Sequence, residues 1–193
     1  SEEWENNWLY ANFTAENSLP WELYRNGKLI ENTSGLVLRL SFDEMYGKTF
    51  YDSSGYNNDG TYYGDAINDG TLYDANVSNA DGDTPATWVN GKYGKALEFD
   101  GVDDYIDAGN DASLRPSSNI SIVAWVKTST SITWQWVAGY EYGGYASYWL
   151  SVGGSPGQEG LAVFGISPNG TVANWVAGPN VSDGQWHLLV GIY

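Results

Sequence analysis

The chain of 193 residues contains no cysteine, so neither a disulfide framework nor a thiolate metal site can form in it. Long apolar runs are also missing, because no stretch reaches the roughly 18 residues that a membrane-spanning helix needs. No signal-peptide pattern is present. We therefore expect a mature or excised soluble piece with no membrane insertion.

Basic residues are scarce as well. Eight Lys and Arg stand against 24 Asp and Glu, which gives a formal net charge of −16. A surface of this sign repels phosphate backbones, so we expect no nucleic-acid partner. The acidic excess is compatible with bound cations, with neutral glycans and with plain solubility, and it does not choose among them.

Aromatic residues and glycine are abundant, with 10 Trp, 15 Tyr and 24 Gly, a composition that favours pleated surfaces joined by tight turns. Apolar and polar residues alternate repeatedly, as in strands with one buried face. The alternating runs are residues 36–42, 120–127, 148–152, 161–166, 172–176 and 186–192. Turn clusters separate them and no stretch has a helical period. The pattern predicts an all-β antiparallel sandwich.

The buried face of this sandwich is predicted from alternate members of the runs. The expected core residues are Leu38, Leu40, Phe42, Leu97, Phe99, Ile122, Ala124, Val126, Leu188 and Val190. Residues 65–89 are rich in Asp, Asn and Gly and have few large apolar side chains, so we interpret them as an inserted loop.

Five blocks of sequence together resemble the laminin-G-like family. They are residues 35–43 (GLVLRLSFD), 51–60 (YDSSGYNNDG), 91–106 (GKYGKALEFDGVDDYI), 120–127 (ISIVAWVK) and 183–193 (DGQWHLLVGIY). The resemblance covers residues 35–193 and implies a jelly-roll β-sandwich of the concanavalin A-like lectin/glucanase class. Residues 1–34 are then an N-terminal strand segment or the remnant of a preceding domain.

The chain departs from the family pattern at its end. In the family a hairpin of the type LYVNGKLV and further strands follow the Trp-His strand, whereas this sequence stops at Tyr193. Residues 21–30 (WELYRNGKLI) resemble that hairpin. Excision from a longer chain, circular permutation and strand exchange between copies all account for this order. We expect residues 8–30 to form strands around an Asn26-Gly27 turn and to cover the open edge beside residues 186–193.

Two loops rich in carboxylates are candidate metal sites. Their residues are Asp100, Asp103 and Asp104 in one loop, and Asp52, Asn57 and Asp59 in the other. Hard oxygen ligands of this kind suit calcium, and the resemblance supports a structural calcium ion at one such loop. Short Asp/Asn/Gly segments are also ordinary turns.

A cluster of aromatic residues is the candidate ligand site. Its members are Trp134, Trp136, Tyr140, Tyr142, Tyr145 and Trp149. Sugars stack their apolar faces on flat aromatic rings, so such a cluster can form a glycan platform. The alternative is that half of these rings point into the sandwich, because neighbouring residues of a strand face opposite sides.

Sequons of the type Asn-x-Ser/Thr occur at Asn12, Asn32, Asn76, Asn119, Asn169 and Asn180. Six together favour an extracellular or cell-surface protein from a lineage that glycosylates asparagine, although any single match is also an ordinary turn sequence.

The sequence contains no clear arrangement of residues typical of an active site. Glu98 and Asp100 are the nearest approach to the paired carboxylates of glycan hydrolases, and His187 is the sole histidine available to a triad. We expect no enzyme. Two functions remain: a calcium-stabilised recognition or adhesion module that binds a glycan or surface polymer, and a structural subunit of a surface filament, layer or stalk. In the second, an open sheet edge pairs with other copies of the chain.

Overall fold

The structure is a computed structural model. It describes residues 7–10, 13–15, 22–25, 28–29, 35–63, 87–99, 101, 104–116, 119–142, 145–167 and 173–193. These residues form antiparallel strands and one 3₁₀ turn at Ala112–Leu114. The predicted all-β antiparallel class is therefore confirmed. Within the described part of the chain, no helix is long and apolar enough to cross a membrane.

The strands are β1 (Asn7–Tyr10), β2 (Phe13–Ala15), β3 (Glu22–Arg25), β4 (Lys28–Leu29), β5 (Leu36–Leu38), β6 (Thr49–Phe50), β7 (Gly60–Tyr63), β8 (Thr87–Asn90), β9 (Lys95–Glu98), β10 (Tyr105–Asp107), β11 (Ile120–Lys127), β12 (Gln135–Tyr142), β13 (Tyr145–Val152), β14 (Leu161–Ile166), β15 (Asn174–Asn180) and β16 (Trp186–Ile192). They fall into two compact units, residues 1–37 with 112–193 and residues 38–111. The boundary predicted between residues 34 and 35 stays a prediction.

The first unit contains two four-stranded sheets that form a sandwich and a further three-stranded sheet of order β1-β3-β4. One sheet has the order β16-β11-β2-β5 and the other the order β12-β13-β14-β15. Their inner faces meet where the Phe164 ring lies on Gly191, since a β-carbon added at Gly191 would be 2.1 Å from Phe164 Cδ2. The buried apolar residues of the inner faces are Ile120, Ile122, Tyr148, Leu150, Val152, Phe164, Ile166 and Leu189.

The pairing of β11 with β16 corrects part of the predicted core. Ile122 lies opposite Gly191 and Ala124 lies opposite Leu189. Residues directly opposite each other share a face, so residues 189 and 191 point inward on β16. Val190, predicted as a core residue, is instead 40% exposed on the outer face, and Leu188 lies on that face with it.

The second unit has its own core around Phe50 and Tyr62, which are 0% and 2% exposed. The partly buried side chains packed against this pair are Leu40, Phe42, Trp88, Leu97 and Ile106. They come from the sheet β10-β7-β6, the hairpin β8-β9 and the segment that follows β5. Phe99 was predicted to join this core but is 42% exposed, because β9 ends at Glu98 and the alternation ends with it.

The N-terminal segment forms strands, as predicted. Arg25 pairs with Lys28, so β3 and β4 form the expected hairpin with a two-residue connection. The prediction that this segment covers the edge beside β16 was wrong, however: β2 pairs with β11 on the side away from β16, and β16 is the last strand of its sheet among the strands described.

The predicted loop 65–89 lies largely outside the described residues, and its last residues, 87–89, belong to β8.

Candidate functional site

The most prominent surface feature of the first unit is on the outer face of the sheet β12-β13-β14-β15. Trp149 lies at its centre and pairs with Gly139 on one side and with Gly165 on the other. Gly165 in turn lies opposite Trp175 on β15. Because opposite residues share a face, this row places two tryptophans on one surface with a glycine between them.

The glycines of this row allow indole rings to lie against the backbone. A β-carbon added at Gly165 would be 2.1 Å from Cζ2 of Trp149, and one added at Gly139 would be 2.6 Å from Cζ3 of Trp136. Neither position has room for a larger residue unless a ring moves. The two indoles therefore rest directly on neighbouring strands.

Two indoles contact the Trp149 ring at this place. The Trp136 and Trp149 rings are stacked, with centroids 6.4 Å apart and planes 23° apart, and the Trp134 ring lies 6.4 Å from Trp149 at 60°. Trp149 is only 4% exposed, whereas Trp134 and Trp136 are 41% and 46% exposed. Together with Trp175, which is 48% exposed, they form what we call the indole patch (Trp134, Trp136, Trp149 and Trp175).

The loop before β12 holds Trp134 in an unusual backbone conformation. Its φ is +59°, in the left-handed region that bulky residues rarely adopt. The loop is fixed by the Gln135 side chain, which donates to the Thr130 carbonyl at 2.8 Å, and by the close approach of Gly153 to the Ile132 carbonyl. Strain of this kind persists only where surrounding contacts impose it, and it is frequent at binding sites.

The structure divides the predicted ligand residues between two faces. Trp134, Trp136 and Trp149 come together in the indole patch, although the buried Trp149 supports the other rings and offers little surface itself. Tyr140 pairs with Tyr148 and stacks on it at 5.9 Å, on the opposite face of the sheet. The side chains of Tyr142 and Tyr145 lie outside the described residues.

Tyr148 anchors that inner face. Its hydroxyl donates to the Leu114 carbonyl at 2.8 Å, and burial, with a smaller contribution from Tyr140, raises the pKa of the Tyr148 phenol far above its ordinary value. The Tyr148 phenol therefore stays neutral at physiological pH, and its role is structural.

Trp175 was not predicted, because its place on the same surface as Trp149 depends on strand pairing through Gly165, which no local pattern signals.

The stretch of chain that carries the indole patch contains acidic residues but no Lys or Arg. Residues 128–193 contain no Lys or Arg, and their acidic residues are Glu141, Glu159 and Asp183. Backbone hydrogen bonds from Gly157 lower the pKa of Glu159, and the contact of His187 Nε2 with Asp183 Oδ1 at 2.8 Å lowers the pKa of Asp183. Both carboxylates are therefore ionised at neutral pH, and this stretch of chain does not attract anionic ligands.

The Asp52 loop uses its carboxylate as a scaffold. Asp52 Oδ1 accepts hydrogen bonds from the backbone N–H groups of Arg39 and Ser54, and Oδ2 accepts from Ser54 Oγ and the Asn58 N–H. Burial tends to raise the pKa of Asp52, but these hydrogen bonds outweigh it and the pKa is lowered. A carboxylate has about four lone-pair sites, and these four donors occupy them. The prediction that Asp52 binds calcium stays a prediction.

Of the remaining predicted metal ligands, Asn57, Asp59 and Asp104 are described by the structure. Asp59 Oδ1 accepts from the Asp52 N–H at 2.8 Å, and Asn57 is exposed with a φ of +60°. Asp104 accepts a hydrogen bond from the Tyr62 hydroxyl. Asp100 and Asp103 are outside the described part of the chain. Among the residues described, no three His, Cys, Asp or Glu are grouped so that they could hold a metal ion.

Two of the six sequons are in the described residues. Asn119 and Asn180 are both exposed, and Asn180 Oδ1 accepts from the backbone N–H and the hydroxyl of Ser182, each at 3.0 Å. Asn12, Asn32, Asn76 and Asn169 lie outside the described residues.

Comparison with known families agrees with this geometry. Residues 100–193 match the Laminin_G_3 model, described as the concanavalin A-like lectin/glucanases superfamily. The match spans the strands that build most of the first unit and confirms the resemblance for residues 100–193, and the antiparallel sheets are consistent with a concanavalin-like β-sandwich. Neither a curated protein nor a solved structure gives a significant match.

Proposed function

We propose that the chain is a non-catalytic recognition module, displayed outside the cell, that binds a glycan or another surface polymer through the indole patch. The laminin-G-like segment fits a carbohydrate-binding or adhesion-type module, and such domains are generally non-catalytic and extracellular. The exposed sequons Asn119 and Asn180 are compatible with that location. The observation that carries the proposal is the contact of Trp134 and Trp136 with the buried Trp149.

The physical basis is stacking on preformed aromatic faces. Trp134 and Trp136 together offer large apolar surfaces that are about half exposed, and Trp149 beneath them limits their movement. Rings that are already held lose little conformational freedom on binding, so more of the stacking energy appears as affinity. The absence of Lys and Arg from residues 128–193 makes uncharged polymers better ligands than polyanions.

The test is binding to a panel of soluble neutral polysaccharides, measured by affinity electrophoresis and then by calorimetry with the best polymer. We expect the variant Trp134→Ala/Trp136→Ala to lose at least about tenfold in affinity, or about 1.4 kcal/mol. Tyr46→Ala is the matched control, since Tyr46 is a 71% exposed aromatic residue of the second unit. Equal binding by the double variant and the wild type would contradict the proposal.

Calcium stabilisation is part of the same proposal and stays a prediction. It rests on the loop of Asp100, Asp103 and Asp104, because the carboxylate of Asp52 is fully engaged in hydrogen bonds within its own loop. The ion would stabilise the loop and take no part in any chemical step.

A further inference from the structure

The exposed members of the indole patch lie on different strands of one sheet. The Trp136 ring lies over its own strand β12, because its Cζ3 atom would be 2.6 Å from a β-carbon added at Gly139 of that strand. Trp175 is on β15, the fourth strand in the order β12-β13-β14-β15. The Trp136 and Trp175 side chains are 46% and 48% exposed, so each offers an apolar surface to solvent.

Three strand spacings separate these two surfaces. Neighbouring strands of a sheet lie about 4.8 Å apart, so β12 and β15 are about 14 Å apart across the sheet. One pyranose ring is only about as long as one strand spacing, so a single sugar cannot contact both indoles. The separation fits about four sugar rings in line, with the first on Trp136 and the last on Trp175.

The row of residues that joins the two surfaces has no exposed obstacle of its own. Gly139, Trp149, Gly165 and Trp175 follow one another across the sheet from β12 to β15. The two glycines have no side chain, and Trp149 lies against Gly165 with 4% of its surface exposed. An extended ligand that crosses the strands along this row can therefore contact Trp136 and Trp175 at once.

We infer that the indole patch binds a linear, uncharged polysaccharide that crosses the four strands, with Trp175 holding a sugar about three units along the chain from the sugar on Trp136. This inference rests on the proposed function and adds the shape of the ligand to it. It also gives Trp175 a role of its own, as the contact that distinguishes long chains from short ones.

Two properties of the surface favour this class of ligand. Exposed indoles stack on the apolar faces of sugar rings, and residues 128–193 provide no Lys or Arg to pair with carboxylate or sulfate groups. A terminal sugar or a short branch reaches only one of the two exposed surfaces. A linear chain held on Trp136 makes its contact with Trp175 as an intramolecular step, so the second contact adds affinity at little further cost in translational freedom.

The test is calorimetry with cello-, xylo- and manno-oligosaccharides of two to six units. In the series that binds, we expect the affinity to rise at least about fivefold from three to six units, because only the longer chains reach Trp175. Trp175→Ala should abolish this rise and keep the wild-type affinity for the trisaccharide, which also shows that the variant is folded. Trp175→Tyr should restore most of the rise, since tyrosine keeps a ring for stacking.

Val176→Ala is the matched control. Val176 follows Trp175 on β15 and is 64% exposed. It pairs with Phe164, whose ring lies on Gly191 at the inner face, so Val176 and Trp175 are on opposite faces of the strand. We expect this variant to bind every oligosaccharide as the wild type does.

The outcomes distinguish failure of this inference from failure of the proposed function. Suppose that Trp134→Ala/Trp136→Ala loses binding but Trp175→Ala binds the hexasaccharide like the wild type: the linear-chain inference is then wrong and the proposed function stands. The same holds if two hexasaccharides bind per chain, because the two surfaces are then independent sites, or if only branched or charged polymers bind. Absence of binding to every polysaccharide and oligosaccharide would overturn both.

Discussion

Replacement of Gly165 by alanine is the most direct perturbation of the indole patch. The added β-carbon would lie 2.1 Å from Cζ2 and 2.3 Å from Cε2 of Trp149, while ordinary van der Waals contact begins at 3.4 Å. The indole must therefore move by more than an ångström. It is 4% exposed and contacts the rings of Trp134 and Trp136, so the movement disturbs the whole patch.

The expected cost follows from overpacking of a buried site, which typically destabilises by about 1–3 kcal/mol. A change of 1 kcal/mol shifts the melting temperature of a protein of 150–250 residues by roughly 2–4 °C, so calorimetry or circular dichroism will resolve it. Glycan affinity should fall in the same variant, because Trp149 no longer supports the two exposed rings.

Gly178→Ala is the matched control. Gly178 is also a strand glycine, and its added β-carbon would meet only the Ala162 carbonyl at 3.6 Å and β-carbon at 3.8 Å. We expect it to be neutral or stabilising by about 0.4–1 kcal/mol, because alanine restricts the unfolded chain. In the Trp149→Ala background, Gly165→Ala should lose its cost, giving a large coupling energy. Equal melting temperatures for Gly165→Ala and Gly178→Ala would refute the reasoning.

Three further outcomes are expected. Phe50→Ala should destabilise the second unit by about 3–5 kcal/mol and Phe99→Ala by clearly less, measured by urea unfolding, because Phe50 is 0% and Phe99 42% exposed. Asp52 has a lowered pKa in the folded protein, so its contribution to the free energy of unfolding is present above its ordinary pKa of 3.8 and is lost as the pH falls below that value. The acid-induced fall in melting temperature should therefore be smaller in Asp52→Asn than in the wild type. Chelation should lower the melting temperature of the wild type, and Asp103→Ala should abolish that response; a wild type insensitive to chelator would contradict calcium stabilisation.

The sequence was most informative where the pattern is local and repeated. Alternation over residues 120–127, 161–166 and 186–192 predicted strands with the bounds that the structure has. The Asn26-Gly27 pair predicted a two-residue hairpin, and the backbone pairing of Arg25 with Lys28 agrees with it. Both signals depend only on neighbouring residues, so they are visible in a single sequence.

Local patterns do not reveal how distant strands align. Alternation shows that Leu188 and Val190 share a face and that Leu189 is on the other, but it does not show which face is inward. That was decided by Ile122, which lies opposite Gly191 and so places Leu189 inside.

What the sequence by itself determined is therefore the all-β class, the strands β11, β14 and β16, and the aromatic richness of residues 134–149. Only the tertiary structure decided that Trp175 shares a surface with Trp149 and that Tyr140 lies on the opposite face. The same holds for the four donors of Asp52, some of which are distant in the chain. The physical reason is that strand register and loop closure join residues far apart in sequence, whereas periodicity reports only on neighbours.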